Sequence, residues 1–310
     1  MPGSIKEIAI VSGKGGTGKT TLAASLALLW ENHVVADCDV DAPDVWIVLD
    51  HDVKSEQPFV GKEIPWINSE ICTGCDICRQ KCPYEAIYID QTDPNFPRYV
   101  VNSPKCEGCM LCVYVCPFNA FEKREKIVGN WFIAEIKKHP IEGTPFVYAR
   151  LFPGEENSGK LVSMVRTVAK NEAVKHKKST IIIDGPPGIG CPVNSAILGV
   201  DLGIIVVEPT PSGIHDAQRV GDVLKHFRIR ASVVINKWDL NPQMSGEAEK
   251  WAERNGFEVL GKIPYSKEVV KYLNERKVPA EALLEEAASP EIRKVAEVIK
   301  DISDKLREKI

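Results

Sequence analysis

A run of eight residues near the start, Gly13-Lys14-Gly15-Gly16-Thr17-Gly18-Lys19-Thr20, constrains this chain more than any other feature. It lies between a short β-branched run, Lys6 to Val11, and an Ala/Leu-rich stretch, Thr20 to Trp30, that reads as a helix. Strand, glycine loop and helix in that order make a phosphate cradle, the P-loop. Glycines let successive N–H groups curl round phosphate oxygens, Lys19 brings a charge to the β- and γ-phosphates, and the Thr20 hydroxyl can ligate magnesium. Gly13 to Thr20 and Thr21 are therefore the first nucleotide-binding candidates.

Apolar runs recur at His33 to Ala36, Thr180 to Ile183, Gly203 to Val207, Ala231 to Ile235 and Phe257 to Ile263, with helical stretches between most of them. Near-continuous Val/Ile runs suit strands buried on both faces, so the fold class is α/β, a mostly parallel sheet flanked by helices. The rhythm stops after about Val60 and resumes near Pro145, and 310 residues leave room for a second, smaller domain. The expected division is a discontinuous nucleotide domain, 1–61 and 122–310, and an insertion, 62–121. Glu122 to Thr144 reads as the returning connection.

The insertion carries Cys72-x2-Cys75-x2-Cys78-x3-Cys82-Pro83 and Cys106-x2-Cys109-x2-Cys112-x3-Cys116-Pro117, an internal duplication. Eight of ten cysteines in two tight runs point to metal chemistry in a reducing compartment rather than to disulfides. Three thiolates on a tight turn cover one iron–sulfur cube, and the fourth, before proline, reaches the other cube. Crossed ligation follows: Cys72, Cys75, Cys78 and Cys116 for one cluster, Cys82, Cys106, Cys109 and Cys112 for the second. Zinc is the competitor, since tetrahedral thiolate sites also use C-x2-C spacing. The run resembles a bacterial-type ferredoxin with two 4Fe-4S clusters, an α+β unit with short strands at Ala86 to Ile89 and Arg98 to Val101. Eight thiolates complete both cubes, which favours electron transfer over chemistry at an open iron, and so small a unit is expected to be disordered without its metal.

The formal charge of −4 gives no electrostatic reason to expect nucleic acid, and no apolar run approaches the roughly 18 residues that span a bilayer. Met1 to Ser4, followed by Lys6 and Glu7, is not a secretory leader, so a cytoplasmic location is expected and a membrane partner is not. The tail, Pro290 to Ile310, alternates apolar and charged residues at helical spacing and reads as a packing helix.

Beyond the P-loop, Lys14 together with Asp37-Cys38-Asp39-Val40-Asp41-Ala42-Pro43 and Asp184-Gly185-Pro186-Pro187-Gly188 resembles the MinD/ParA superfamily, in the branch with an inserted ferredoxin. The resemblance implies that Lys14 is a signature lysine reaching into the partner's site when ATP clamps a homodimer. It implies that Asp184 is the Walker B acid, that Asp39 orients the attacking water and that Asp37 or Asp41 serves the outer shell of Mg2+. Gly188 would present its N–H to the γ-phosphate, releasing Pro186 to Gly190 when that phosphate is lost. The bland alternative makes Asp41 and Asp44 helix caps. Asn236-Lys237-Trp238-Asp239 matches the N-K-x-D pattern that reads guanine, yet the family mostly uses ATP, with an asparagine at this strand end on adenine. ATP is the expected nucleotide, and Asp239 keeps GTP in play.

Cys38 and Cys191 read as core fillers, with a Cys191 pair holding a cluster across a dimer, as in the nitrogenase iron protein, as the sharper alternative. The stretch from Ala149 to Leu161, including Glu156, Asn157 and Ser158, reads as strand, turn and helix start. Lys160 in it would face the nucleotide or the partner subunit. His215 reads as a surface or cap histidine. The expected function is ATP-driven dimer switching coupled to electron transfer towards an unidentified redox or iron–sulfur acceptor protein. The alternatives are an iron–sulfur carrier or assembly ATPase and a MinD/ParA-like positioning ATPase.

Overall fold

The computed structural model describes residues 4–91, 98–155 and 159–310. These fall into two compact units, one of Met1–Gln57, Trp131–Arg150 and Asn157–Ile310, the other of Pro58–Asn130 and Leu151–Glu156. Residues 156–158, within the Ala149 to Leu161 stretch, and Met1 to Gly3 lie outside the described residues.

The first unit is organised round parallel strands β1 (Lys6–Ser12) and β2 (His33–Asp37). Two long strands follow, β3 (His51–Ile67) and β6 (Phe121–Ile136), within which the chain passes between the units. The shorter β4 (Ile87–Asp90) and β5 (Arg98–Val101) lie between those two in the chain. The remainder are β7 (Pro145–Leu151), β8 (Thr180–Pro187), β9 (Leu202–Val207), β10 (Ala231–Asn236) and β11 (Glu258–Ile263). The nine-stranded sheet has the order β11-β10-β9-β1-β8-β2-β7-β6-β3. Strands β1, β2, β8 and β9 are buried along nearly their whole length, as the unbroken Val/Ile runs require.

Strand β3 occupies a sheet edge despite Pro58, Gly61 and Pro65, which is where a strand tolerates missing donors. The expected returning connection contains strand β6, whose first half is charged and exposed, Glu122 to Glu125.

Helices α1 (Lys19–Leu29), α2 (Val45–Val48), α5 (Lys160–Lys175), α6 (Cys191–Ile197), α7 (Pro211–His226), α8 (Pro242–Arg254), α9 (Lys267–Asn274) and α10 (Pro290–Arg307) accompany this sheet; α3 and α4 belong to the second unit. Helix α10 buries Ile292, Val295, Ala296, Ile299, Ile302 and Leu306, a three-to-four repeat that packs on β11 and α1. Lys305 donates to the Leu260 carbonyl at 2.7 Å. The C-terminal amphipathic face is thus core, and no described helix is long and apolar enough to cross a membrane.

His33 opens β2 at 1% exposure, with no well-formed hydrogen bond at either ring nitrogen. Burial, with Lys178 adding, pushes its imidazole down to about 3. The folded chain keeps this ring neutral where the unfolded chain takes up a proton, so stability is full above 6.5 and is lost as pH falls from there towards 3. Replacing the ring, as in His33→Val, is expected to flatten that acid limb by about 1.4 kcal/mol per pH unit, read from denaturant titrations between about pH 6 and 5.

In the second unit β4 and β5 pair antiparallel, and two short helices, α3 (Ile77–Lys81) and α4 (Leu111–Tyr114), each follow a cysteine turn. The duplication is visible in the backbone. Left-handed residues fall at matching places in both runs, Gly74 and Gly108, Asp76 and Met110, Glu85 and Asn119. One buried cluster is Ile67, Cys78, Ile87 and Cys112, with Cys72 and Cys82 packed against it; Phe59, Ala86, Cys106, Ala120 and Val128 are buried as well.

Candidate functional site

The glycine loop leaves β1 at Ser12, whose hydroxyl donates to the Lys14 carbonyl at 2.8 Å. Gly16 and Gly18 take φ of 78° and 88°, a region that a side chain disfavours. A Cβ on Gly18 would stand 2.2 Å from Asn236 Nδ2, and one on Gly13 would strike the Asp216 backbone at 2.4 Å. The loop is thus closed in by the end of β10 and by α7.

Helix α1 begins at Lys19, whose ammonium lies 2.7 Å from Asp184 Oδ1 and 3.3 Å from Asp39 Oδ2. The next residue, Thr20, donates its hydroxyl to Asp184 Oδ2 at 2.7 Å. Asp37, the last residue of β2, pairs in register with Asp184 inside the neighbouring parallel β8, both with no exposed surface. Asp37 accepts from the N–H groups of Asp39 and Val45 at 3.1 and 3.2 Å. Burial pushes the Asp37 carboxyl well up, and Asp184 beside it adds to the shift. Burial likewise raises Asp39 to about 6, against the pull of Lys19. For Lys19 burial works against the charge, and Asp184 with Asp39 outweighs it, so the ammonium is held more firmly than usual. Three acids and one cation therefore share a nearly dry cluster.

Two adjoining cavities share Gly16, Gly18 and Thr21. The larger, about 450 Å³, is lined by Gly15, Thr17, Lys19, Thr20, Asp39, Asp41, Asp44, Pro186 and Pro187. The other, about 220 Å³, is lined by Asn236, Lys237 and Tyr265, with Leu22, Val269, Leu273, Val295 and Ile299 behind. The larger is the more polar and of a size for phosphates; the second is an apolar slot of a size for a base. The Pro264 to Val270 side of that slot was not anticipated, because no motif marks it.

Asn236 donates to the Thr17 carbonyl at 2.7 Å and accepts from the Lys237 N–H at 3.0 Å, so it braces the loop. Lys237 donates to the Gly16 carbonyl at 3.3 Å and pairs with Glu208. Asp239 stands outside the slot and accepts from the Tyr265 N–H at 2.7 Å. Gly188 donates its N–H to the Ser12 carbonyl at 2.9 Å, a bond that must open before that N–H can serve a phosphate. Asp44 is the N-cap residue of α2 but makes no side-chain cap bond.

Lys14 lies 3.2 Å from Glu208, a partner that sequence reasoning missed. Cys38 is fully buried and its thiol is pushed far up by burial, whereas Cys191 is exposed at the start of α6. His215 is on the surface, 3.5 Å from Asp216. Lys160 is exposed at the first turn of α5.

In the second unit Cys72, Cys75, Cys78 and Cys116 line one cavity together with Asp76, Tyr99 and Phe118. The Cys112 thiol is pushed up to about 12 by burial first and then by Cys106, with Cys78 and Cys109 contributing. Burial first and then Cys72, Cys75 and Cys116 hold Cys78 up at about 11, with the Arg79 backbone opposing. Cys82 and Cys116 each accept a backbone N–H, from Ala86 and Ala120, both at 3.4 Å. All ten cysteines are free, and among the described residues no group of three or more His, Cys, Asp or Glu side chains is placed to hold a metal ion.

A family model described as the CobQ/CobB/MinD/ParA nucleotide binding domain matches residues 8–280. An uncharacterised protein of Methanocaldococcus jannaschii, MJ0578, is 35% identical over 99% of this chain and 98% of its own length. A second, MJ0579, is 26% identical over 85% and 87%. The septum site-determining protein MinD complexed with Mg-ADP from Pyrococcus horikoshii superposes with a TM-score of 0.58 at 18% identity, covering 97% of this chain and 96% of that one. The cell division ATPase MinD of Pyrococcus furiosus gives 0.54 at 18%, covering 99% of each. At such identity these structures establish the fold.

Proposed function

This chain belongs to the CobQ/CobB/MinD/ParA nucleotide-binding family, and we propose that it couples ATP hydrolysis in a homodimer to electron transfer through two 4Fe-4S clusters in its second unit. The observation that carries the ATPase half is the convergence of Lys19, Thr20 and Asp39, which line the phosphate cavity, with the buried Asp184.

Magnesium fits this donor set: the Thr20 hydroxyl would hold it, Asp37, Asp39 and Asp184 would support it through its waters, and it would neutralise charge on the phosphates. Lys19 exchanges Asp184 and Asp39 for phosphate oxygens, which frees both carboxylates. Asp39 then orients the attacking water, and Lys14 reaches the second copy's nucleotide. ATP is the reading for the base, because Asp239 is committed to the Tyr265 backbone and lies outside the slot. Asp239→Asn is therefore expected to weaken ATP and GTP alike and leave their ratio within about twofold; the ratio moving tenfold or more in competition binding would reinstate guanine reading.

For the second unit, four cysteines round one cavity, a matching second run and a core half made of sulfur fit a pair of cubes. Two full runs of four cysteines, each followed by proline, suit clusters better than zinc. Cys72, Cys75, Cys78 and Cys116 would hold one and Cys82, Cys106, Cys109 and Cys112 the other; such clusters carry single electrons. The carrier reading is less well supported, since eight thiolates would leave no labile iron; the positioning reading has the support of the family match and of the MinD-like fold, although the tail's apolar face is packed inside. Anaerobically purified protein should hydrolyse ATP and reduce an acceptor in step with it. Cluster transfer to an apo-ferredoxin, with no ATP-dependent reduction, would favour the carrier instead.

A further inference from the structure

The end of β9 places a carboxylate between two lysines that the nucleotide site uses. Glu208 Oε2 lies 3.2 Å from Lys14 Nζ, and Oε1 pairs with Lys237 Nζ. The Glu208 side chain is 16% exposed, against 32% and 31% for the lysines. Burial favours the neutral acid, but Lys237 and then Lys14 outweigh it and hold the carboxyl below its ordinary range, so it is ionised at neutral pH.

The two sides of this contact differ in stiffness. Glu208 follows a fully buried strand and precedes Pro209, and Thr210 caps α7 by accepting from the Gly213 N–H at 2.9 Å. A Cβ on Gly213 would lie 2.5 Å from the Glu208 carbonyl oxygen, so this turn is packed against its neighbour. Lys14 instead sits among Gly13, Gly15 and Gly16, and Gly15 has nothing within 4 Å of where a Cβ would be. Gly13 is packed against Asp216 and the Lys14 carbonyl accepts from Ser12, so release swings the Lys14 side chain and leaves Glu208 in place. When Lys14 departs, Lys237 remains on Glu208 and still donates to Gly16, so no unpaired buried carboxylate is left behind. A latch built this way opens cheaply.

We propose that Glu208 is a positioning residue that holds Lys14 on its own subunit and so sets the threshold at which two ATP-loaded copies of this chain pair. The inference rests on the reading that Lys14 acts across a dimer. Glu208 touches neither phosphate nor metal; it acts through Lys14.

The test measures dimerisation by sedimentation with magnesium and a non-hydrolysable ATP analogue, for the full chain, Glu208→Gln, Lys14→Ala and the double variant. Glu208→Gln is expected to lower the dimer dissociation constant about three- to tenfold, the scale of a partly exposed ion pair. The same change in the Lys14→Ala background is expected to do nothing. Affinity for a fluorescent ATP analogue, measured at concentrations where only monomer is present, should not change, since a latch on Lys14 affects pairing alone. Equal weakening of nucleotide binding and pairing would mean that Glu208 merely supports the loop, and the proposal would fall. It would also fall if Glu208→Gln paired like the unaltered chain while Lys14→Ala did not pair. Lys14→Ala pairing normally would instead remove the underlying dimer reading. Should the glutamine variant not fold, Glu208→Asp, which draws the carboxylate back by one methylene, should give a smaller shift of the same sign, and no shift would overturn the latch.

Discussion

Lys19→Ala is expected to lower ATP turnover by about 10³-fold, the scale on which a single positioned charge stabilises a transferring phosphoryl group. The structure adds a second consequence. The Lys19 ammonium bridges Asp184 and Asp39 in an interior where Asp37 is also buried. Deleting it leaves these acids without that cation, at a cost of about 3 kcal/mol, less whatever protonation recovers. The sign with pH follows. Asp37 and Asp39 are already raised, and Lys19 is the group pulling both down, so its loss raises them further. A carboxyl raised in the folded state contributes stability that is complete below its unfolded value and is lost as pH rises through the folded one. The variant's melting temperature should therefore fall from about pH 5 to 8 more steeply than that of the unaltered chain. Thermal melts across that range with nucleotide absent test this, and parallel profiles would show that Lys19 does not neutralise the cluster.

Much of this site was readable before any coordinates, because its parts are contiguous. Gly13 to Thr20 is one unbroken segment, and Asp37 and Asp184 each end an apolar run that had to be a buried strand. What could not be read was pairing across the chain. Glu208 meets Lys14 because β9 lies parallel beside β1 and each residue follows the end of its strand, and nothing local to either residue signals it. Asp239 has a sequence context that suggests guanine, while its carboxylate is engaged by the Tyr265 N–H at the far side of β11. Strands β3 and β6 escaped for a different reason. Two prolines and a glycine in the first, and the run Glu122-Lys123-Arg124-Glu125 in the second, imitate a loop, and an edge position tolerates what a central strand would not.

Removing the proposed clusters is expected to unfold the second unit while the first keeps its nucleotide site. The buried residues there are few, with Phe59, Ala86, Ala120 and Val128 beside the cluster of Ile67, Cys78, Ile87 and Cys112, and Cys72 and Cys82, packed against that cluster, are proposed ligands. Without cubes to bind, that core is too small to offset the chain entropy of the segment. Iron extraction should make Pro58 to Asn130 sensitive to protease, abolish the visible absorption and leave ATP binding within about twofold. Intact protein should carry about eight irons per chain. About two zinc ions per chain, with the fold unchanged when iron is withheld, would replace the cluster reading by the tetrahedral one. Cys78→Ser should act more gently, with loss of one cluster's signal and partial protease sensitivity.

The central claim is that nucleotide state and electron carrier are energetically linked, and an anaerobic redox titration followed by paramagnetic resonance measures that link directly. It would be run without nucleotide, with Mg-ADP and with a non-hydrolysable Mg-ATP analogue. The coupled reading predicts that at least one cluster potential shifts between the ADP and ATP states by about 59 mV, equivalent to about 1.4 kcal/mol for one electron. Potentials that coincide in all three states, with ATP-independent reduction of every acceptor tried, would contradict it.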